Sequence, residues 1–137
     1  MDFDKIVTIN FDGACNNRGD KIMGIGVVAY EDDEILCESA NYFNFQGTSN
    51  IAEWLALIEG LTVLKELQVK NGILLGDSQL VVKQFNGIYD TSYKFIDYYN
   101  EAWKIAKYLN VEVRWIPREQ NTLADELSKE GLNQFYK

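Results

Sequence analysis

Histidine is absent from all 137 residues of the chain. Serine–histidine–aspartate relays and histidine-bearing zinc sites are thereby excluded, since both need imidazole as base or ligand. Cysteine is scarce: Cys15 and Cys37 have no metal-type spacing and are too few for a disulfide scaffold. A single disulfide between them is left open by the sequence, although a reduced, intracellular chain is the expectation. Proline occurs once, at Pro117. No apolar run approaches the roughly 20 residues that a membrane helix needs. The start, Met1-Asp2-Phe3-Asp4-Lys5, is acidic and leads straight into a strand pattern, which is no secretory signal. A cytoplasmic protein with no membrane contact and no obligate protein partner is expected. Basic residues are few as well, 13 against 21 acidic, for a net charge of −8. That balance argues against the broad basic face common among nucleic-acid binders.

What is present is ordinary for a globular chain, 47% hydrophobic and 25% charged, and long enough to bury a core without staples. Val7, Ile9 and Phe11 alternate with Ile6, Thr8 and Asn10, the period of a strand over residues 5–11. A second strand is expected over 24–30. Glu31-Asp32-Asp33-Glu34 reads as a solvated hairpin turn, and a third strand over about 35–45 completes an antiparallel meander. Thr48-Ser49-Asn50 supplies N-cap chemistry for a long helix to about residue 66, ended near Asn71-Gly72. Ile73-Leu74-Leu75 is a short buried strand, followed by a helix over about 78–86. A further helix over 93–108 has Phe95, Ile96, Tyr99, Trp103 and Ala106 near one face. A strand over 111–116 is closed by Pro117, and a last helix starts near Asn121. With no repeat, linker or low-complexity segment, residues 1–137 read as one domain.

Strands followed by alternating helix and strand imply a mixed sheet with helices packed on it. Ligands in such sheets bind at the carboxyl ends of neighbouring strands. Four carboxylates sit where apolar runs end or helices begin: Asp12 in Ile9-Asn10-Phe11-Asp12-Gly13-Ala14, Glu53 in Asn50-Ile51-Ala52-Glu53-Trp54, Asp77 in Leu75-Gly76-Asp77-Ser78-Gln79, and Asp125 in Asn121-Thr122-Leu123-Ala124-Asp125. Asp12 follows the first strand pattern directly and Asp77 the fourth, so both emerge at one rim if those strands are parallel neighbours. Glu53 shares a helix side with Leu57, Gly60, Leu61 and Leu64, the wrong place for a purely solvated acid. Each acid alone has a plain explanation: turn residues for Asp12 and Asp77, and for Asp125 a charge worth about 0.3–1 kcal/mol at a helix N-terminus. Jointly, and with no histidine, they point to metal-assisted chemistry on phosphates. Buried acids need a compensating charge, and Mg²⁺ takes carboxylate oxygens while keeping some of its waters.

These four strings, in this order and spacing, resemble the motifs of type 1 ribonuclease H over residues 5–128. The aspartate-glycine that ends the family's first strand is matched by Phe11-Asp12-Gly13-Ala14-Cys15, and its helix motif by Thr48-Ser49-Asn50-Ile51-Ala52-Glu53. The third is matched by Gly76-Asp77-Ser78-Gln79-Leu80-Val81-Val82 with Gln84-Phe85-Asn86-Gly87, and the fourth by Trp115-Ile116-Pro117-Arg118-Glu119-Gln120-Asn121 leading to Ala124-Asp125. The resemblance implies a ribonuclease H-like α/β fold: a five-stranded mixed sheet, three antiparallel strands then two parallel, with helices on both faces. It implies two-metal-ion hydrolysis of the RNA strand of an RNA–DNA hybrid, with two Mg²⁺ ions and Mn²⁺ as a substitute. Asp12 would bridge both ions, with Glu53 and Asp77 on one side and Asp125 on the other. Asn16, Asn17, Asn50 and Gln79 would contact the groove, where 2′-hydroxyls and duplex shape mark RNA. Thr48 and Ser49 resemble a pocket for a phosphate of the DNA strand, and Tyr89 an aromatic that packs on the DNA backbone. Turn and cap duty is the competing reading for Asn16, Asn17 and Ser49.

Departures from the family pattern are also legible. Its well-studied members carry a histidine in the loop before the last aspartate, and some members a lysine-rich protrusion; this chain has neither. In branches without the histidine, a Pro-Arg-Glu segment like Pro117-Arg118-Glu119 is found. Arg118 would stabilise phosphate charge and Glu119 relay a proton. Two bound divalent ions would bring the charge balance to about −4. Two other classes stay open: a related superfamily nuclease with another substrate, and a non-catalytic binding or assembly module of the same fold.

Overall fold

The computed structural model describes residues 5–137; the acidic Met1-Asp2-Phe3-Asp4 segment lies outside the described residues. The expected meander forms from β1 (Ile6–Cys15), β2 (Met23–Glu31) and β3 (Glu34–Phe43). The acidic turn folds tightly because Asp32 takes the left-handed conformation, φ 54°, which a short polar side chain tolerates. After α1 (Ser49–Glu66) come β4 (Asn71–Gly76), α2 (Gln79–Phe85), α3 (Ile96–Ala106), β5 (Asn110–Trp115), a single 3-10 turn at Arg118–Gln120 and α4 (Thr122–Phe135). The five strands lie in the order β3-β2-β1-β4-β5. The β3–β2 and β2–β1 pairs are antiparallel, whereas β1–β4 and β4–β5 are parallel.

Helices cover both faces, as the resemblance implied. Val7, Ile9 and Phe11 point to the α1 side and join Trp54, Leu57, Leu61 and Leu64 in one core. The opposite face is closed by α4, which rests on the backbone of β2. A Cβ at Gly26 would stand 2.3 Å from the Ala124 carbonyl oxygen, so only glycine permits that approach. No helix among the described residues is long and apolar enough to cross a membrane.

Three boundaries differ from expectation. β1 runs on to Cys15, so Asp12 lies inside the strand and does not follow it. The parallel ladder with β4 stops at Phe11–Gly76, but the antiparallel ladder with β2 continues from Asp12–Gly26 to Cys15–Met23. Helix α1 ends before Asn71-Gly72, which belong to β4. Its end is a Schellman turn: Val69 N–H donates to the Leu64 carbonyl (3.1 Å) and Gln68 N–H to that of Lys65 (3.0 Å), with Gln68 at φ 59° where glycine is usual. Helix α3 starts at Ile96 and not at residue 93, because the Ser92 hydroxyl and carbonyl bind the N–H groups of Lys94 and Phe95 in a turn.

Candidate active site

The parallel registers bring the carboxyl ends of β1, β4 and β5 to one rim, since Phe11 pairs with Gly76 and Gly76 with Trp115. Asp12 and Asp77 each stand one residue beyond that level. Helix α1 enters over the same rim, capped by the Thr48 hydroxyl, which accepts from Ile51 N–H (3.1 Å). Glu53 is thus carried to β1, and Gly13 allows the contact: a Cβ there would lie 2.3 Å from the Ala52 carbonyl carbon. Gly13 N–H donates to Glu53 Oε1 (2.6 Å) and also to Asp12 Oδ1 (3.0 Å). One carboxylate oxygen each from Asp12, Glu53 and Asp77 come within 4.8 Å of one another.

Asp12 and Glu53 are 5% and 6% exposed. Burial pushes the Asp12 carboxyl up to about 6, the nearby Asp77 and Asp125 adding to the rise while a hydrogen bond with Glu53 opposes it. Burial, then the adjoining Asp12, pushes Glu53 well above the usual carboxylate range, and Gly13 N–H only partly offsets this. Glu53 Oε2 is buried without a hydrogen-bond partner, an arrangement that costs about 1–3 kcal/mol and more for a charged group. Hard oxygen donors, crowded and missing a positive partner, fit a divalent cation. The neighbouring Cys15 does not make this a thiolate site. Burial raises its pKa, and its Sγ faces the carbonyls of Asn16, Lys21 and Gly47 at 3.6–3.7 Å.

The three acids floor a cleft of about 570 Å³ lined also by Asn17, Ser49, Asn50, Ser78, Arg118, Asp125 and Lys129. Asp125 therefore faces the same space without joining the three-oxygen group. Its Oδ2 accepts from Lys129 Nζ at 3.0 Å, and although burial pushes its pKa up, Lys129, a hydrogen bond with Asp12 and Arg118 leave it below the usual value. Arg118 is exposed at the edge; Glu119 is exposed and not among the lining residues. Asn16 turns away from the cleft: its Oδ1 accepts from Arg18 N–H (2.9 Å) and its Nδ2 donates to the Tyr136 hydroxyl. Gln79 and Tyr89 form a separate exposed group around Lys83, whose Nζ is 3.5 Å from Gln79 Oε1 and 3.3 Å from the Tyr89 hydroxyl. A larger cavity of about 760 Å³ opens at the other rim, lined by Lys5, Lys70 and Lys107 among others and by none of the predicted site residues.

A sequence model of the reverse transcriptase-like family matches residues 10–131, which include all four acids. The chain belongs to that family. Its fold is the ribonuclease H fold: the crystal structure of RNase H1 from Halobacterium salinarum superposes with a TM-score of 0.86 at 31% identity, covering 94% of this chain and 98% of that one. The ribonuclease HI sequence of that organism is 33% identical over 128 residues, 90% of this chain and 62% of the other. LC11-RNase H1, solved in complex with an RNA/DNA hybrid, superposes with a TM-score of 0.87 at 28% identity, covering 96% and 99%. A bifunctional protein of Mycobacterium tuberculosis is 29% identical over 131 residues; the match takes in 94% of this chain and 36% of that protein's length.

Within this ribonuclease H-like frame, sequence reasoning passed over two side chains. Lys129 had no signal beyond its i,i+4 spacing from Asp125. Asn121 read as the start of the last helix, yet its side chain makes no cap bond to α4. It is buried, 1% exposed, and its amide reaches Asp77 instead.

Proposed function

We propose that this chain cleaves the RNA strand of RNA–DNA hybrids endonucleolytically, with two Mg²⁺ ions as cofactors and Mn²⁺ as a substitute. The observation that carries this reading is the three-oxygen group of Asp12, Glu53 and Asp77, with Glu53 Oε2 buried and unpartnered, in a chain of ribonuclease H fold. Asp12, Glu53 and Asp77 would hold one ion, and Asp12 with Asp125 the other. When bound, such ions supply an activated water and neutralise charge on the leaving 3′ oxygen.

The chain's own residues position the substrate. Arg118, at the cleft edge, offers a planar guanidinium to a phosphate. Asn17, Ser49 and Asn50 line the cleft and present polar groups for groove and phosphate contacts. The Thr48 hydroxyl accepts from the helix and keeps its own proton free to donate to a phosphate. Gln79 and Tyr89, gathered by Lys83, would meet the duplex beyond the cleft. Asn16 serves by shaping the loop that carries Asn17, and Glu119, outside the lining, would relay a proton only through solvent. The thiols of Cys15 and Cys37 are free, which suits a reducing, cytoplasmic setting.

The deciding experiment offers labelled hybrid, double-stranded RNA, single-stranded RNA and double-stranded DNA to the chain in millimolar Mg²⁺. Cleavage confined to the RNA strand of the hybrid is expected. Cleavage of another substrate with the hybrid intact would reassign the chain to a related nuclease, and cation binding with no cleavage at all would make it a binding module.

A further inference from the structure

The buried amide of Asn121 stands at the junction of every element that carries an acid of the cluster's rim except α1. Its Nδ2 donates to Asp77 Oδ2 (3.1 Å) and to the Phe11 carbonyl on β1 (3.0 Å), while its Oδ1 accepts from Asn10 Nδ2 (3.1 Å). Its backbone carbonyl accepts from Asp125 N–H (3.1 Å), the first bond of α4. The amide has one orientation open to it. The Phe11 carbonyl can only accept, so Nδ2 must face it, and the Asn10 donor then meets Oδ1. Asn10 lies two residues before Asp12 on the same face of β1. An asparagine at a helix start ordinarily uses its side chain to cap that helix; here the side chain is given over to the rim. It lies behind the cleft and is not among the lining residues.

We propose that Asn121 is a positioning residue: its amide, set by Asn10, holds the Asp77 carboxylate in the orientation that completes the three-oxygen group, and so governs cation affinity without touching cation or substrate. This rests on the reading of the group as a cation site. Partners of this kind, which orient a ligand from behind, are worth about 10–100-fold in metal affinity or activity. Two consequences separate this role from general packing. Loss of the amide should lower turnover while leaving the Michaelis constant for the hybrid within about twofold, because substrate contacts lie elsewhere. Excess Mg²⁺ should then restore part of the lost turnover, which it would not do for a merely loosened core.

The test is calorimetric titration of Mn²⁺ into the cation-free full chain, as wild type, Asn121→Ala and Asn10→Ala, beside steady-state kinetics over a range of Mg²⁺. The Mn²⁺ dissociation constant is expected to rise roughly tenfold or more in Asn121→Ala, and by a smaller factor in Asn10→Ala, where the amide remains but is free to turn. A folded Asn121→Ala that binds Mn²⁺ within twofold of wild type overturns the inference and leaves the cation site standing. If Asn121→Ala does not fold, Asn10→Ala decides: unchanged affinity overturns the inference, weakened affinity supports it. A wild-type chain that takes up no Mn²⁺ removes the cation site and the inference together.

Discussion

Asp12 and Glu53, on the side of the cleft built by β1 and α1, are almost fully buried, and among the described residues no lysine or arginine forms an ion pair with them. Asp125, on the α4 side, is more open and holds Lys129 at 3.0 Å. The two environments act in opposite directions: burial and neighbouring acids push the Asp12 and Glu53 carboxyls up, while Lys129, a hydrogen bond with Asp12 and Arg118 outweigh burial and hold Asp125 below its usual value. The buried side therefore carries a standing demand for positive charge, since an unpaired buried ion costs several kcal/mol. The open side is already partly neutralised by the chain, and weakly, because an exposed i,i+4 pair is worth roughly 0.3–0.5 kcal/mol. A cation arriving at Asp125 displaces little. Strong need and easy exchange sit on two sides of one cleft.

The sharpest break of this contrast is Asp12→Asn. Turnover on hybrid should fall on the order of a thousandfold, since the lost interaction supplies several kcal/mol in the transition state. The cation-free variant should nevertheless melt higher, by about 4 °C if roughly 1 kcal/mol of repulsion is relieved. Asp125→Asn should lose activity too but gain no stability, and a similar rise in both melts would dissolve the distinction. Arg118→Ala, at the open edge, should lower turnover by about tenfold or more with the Michaelis constant within about twofold; steady-state kinetics with turnover unchanged would return Arg118 to a solvated loop charge.

Divalent cation tests the buried side directly. At a hundred times its dissociation constant, a cation that binds only the folded chain adds about 2.7 kcal/mol, so millimolar Mg²⁺ should raise the melting temperature of wild type and not of Asp12→Asn. Acidity should do part of the same work. Asp12 protonates near pH 6 when folded, against an ordinary 3.8, so the folded state binds more protons between these values. Stability contributed at this site thus falls as the pH rises through that window. In chelator, wild type should lose stability relative to Asp12→Asn between pH 4 and pH 6.5, and saturating Mg²⁺ should flatten the difference. A parallel pair of melting curves in chelator would contradict the burial assigned to Asp12. The smallest effect is expected at Lys129→Ala: a stability change below about 0.5 kcal/mol, with Asp125 protonating at a higher pH by NMR titration. A loss of several kcal/mol would mean that the pair is structural.

The order of elements was legible because each strand and helix keeps its own hydrophobic period. The alternation of Val7, Ile9 and Phe11 and the leucines of α1 at helical spacing all join the core. Ends were less legible, since they depend on partners elsewhere. Asp12 is held in a strand by β2, not by its own neighbours, and α1 stops at a glutamine in a glycine's conformation. Of the candidate site residues, Asp12, Glu53 and Asp77 converge and Asp125, Asn17, Ser49, Asn50 and Arg118 share their cleft. Asn16, Gln79 and Tyr89 are engaged outside it. Their polarity gave no sign of this, because a turn contact and a ligand contact use the same side-chain atoms.

By itself the sequence determined the chemistry available: carboxylates without histidine, and a period pattern that yields a mixed sheet. It also set the family, since the four acid-bearing strings fall within the matched residues. Only the tertiary structure decided how those groups differ from one another. Parallel pairing of β1 with β4 put Asp12 beside Asp77, and Gly13 let Glu53 close on them until one of its oxygens had no partner. A side chain written as a helix cap became the amide behind Asp77. Burial, repulsion and hydrogen-bond assignment are properties of distance, and residues 12, 53, 77 and 121 acquire their distances only when the sheet is assembled.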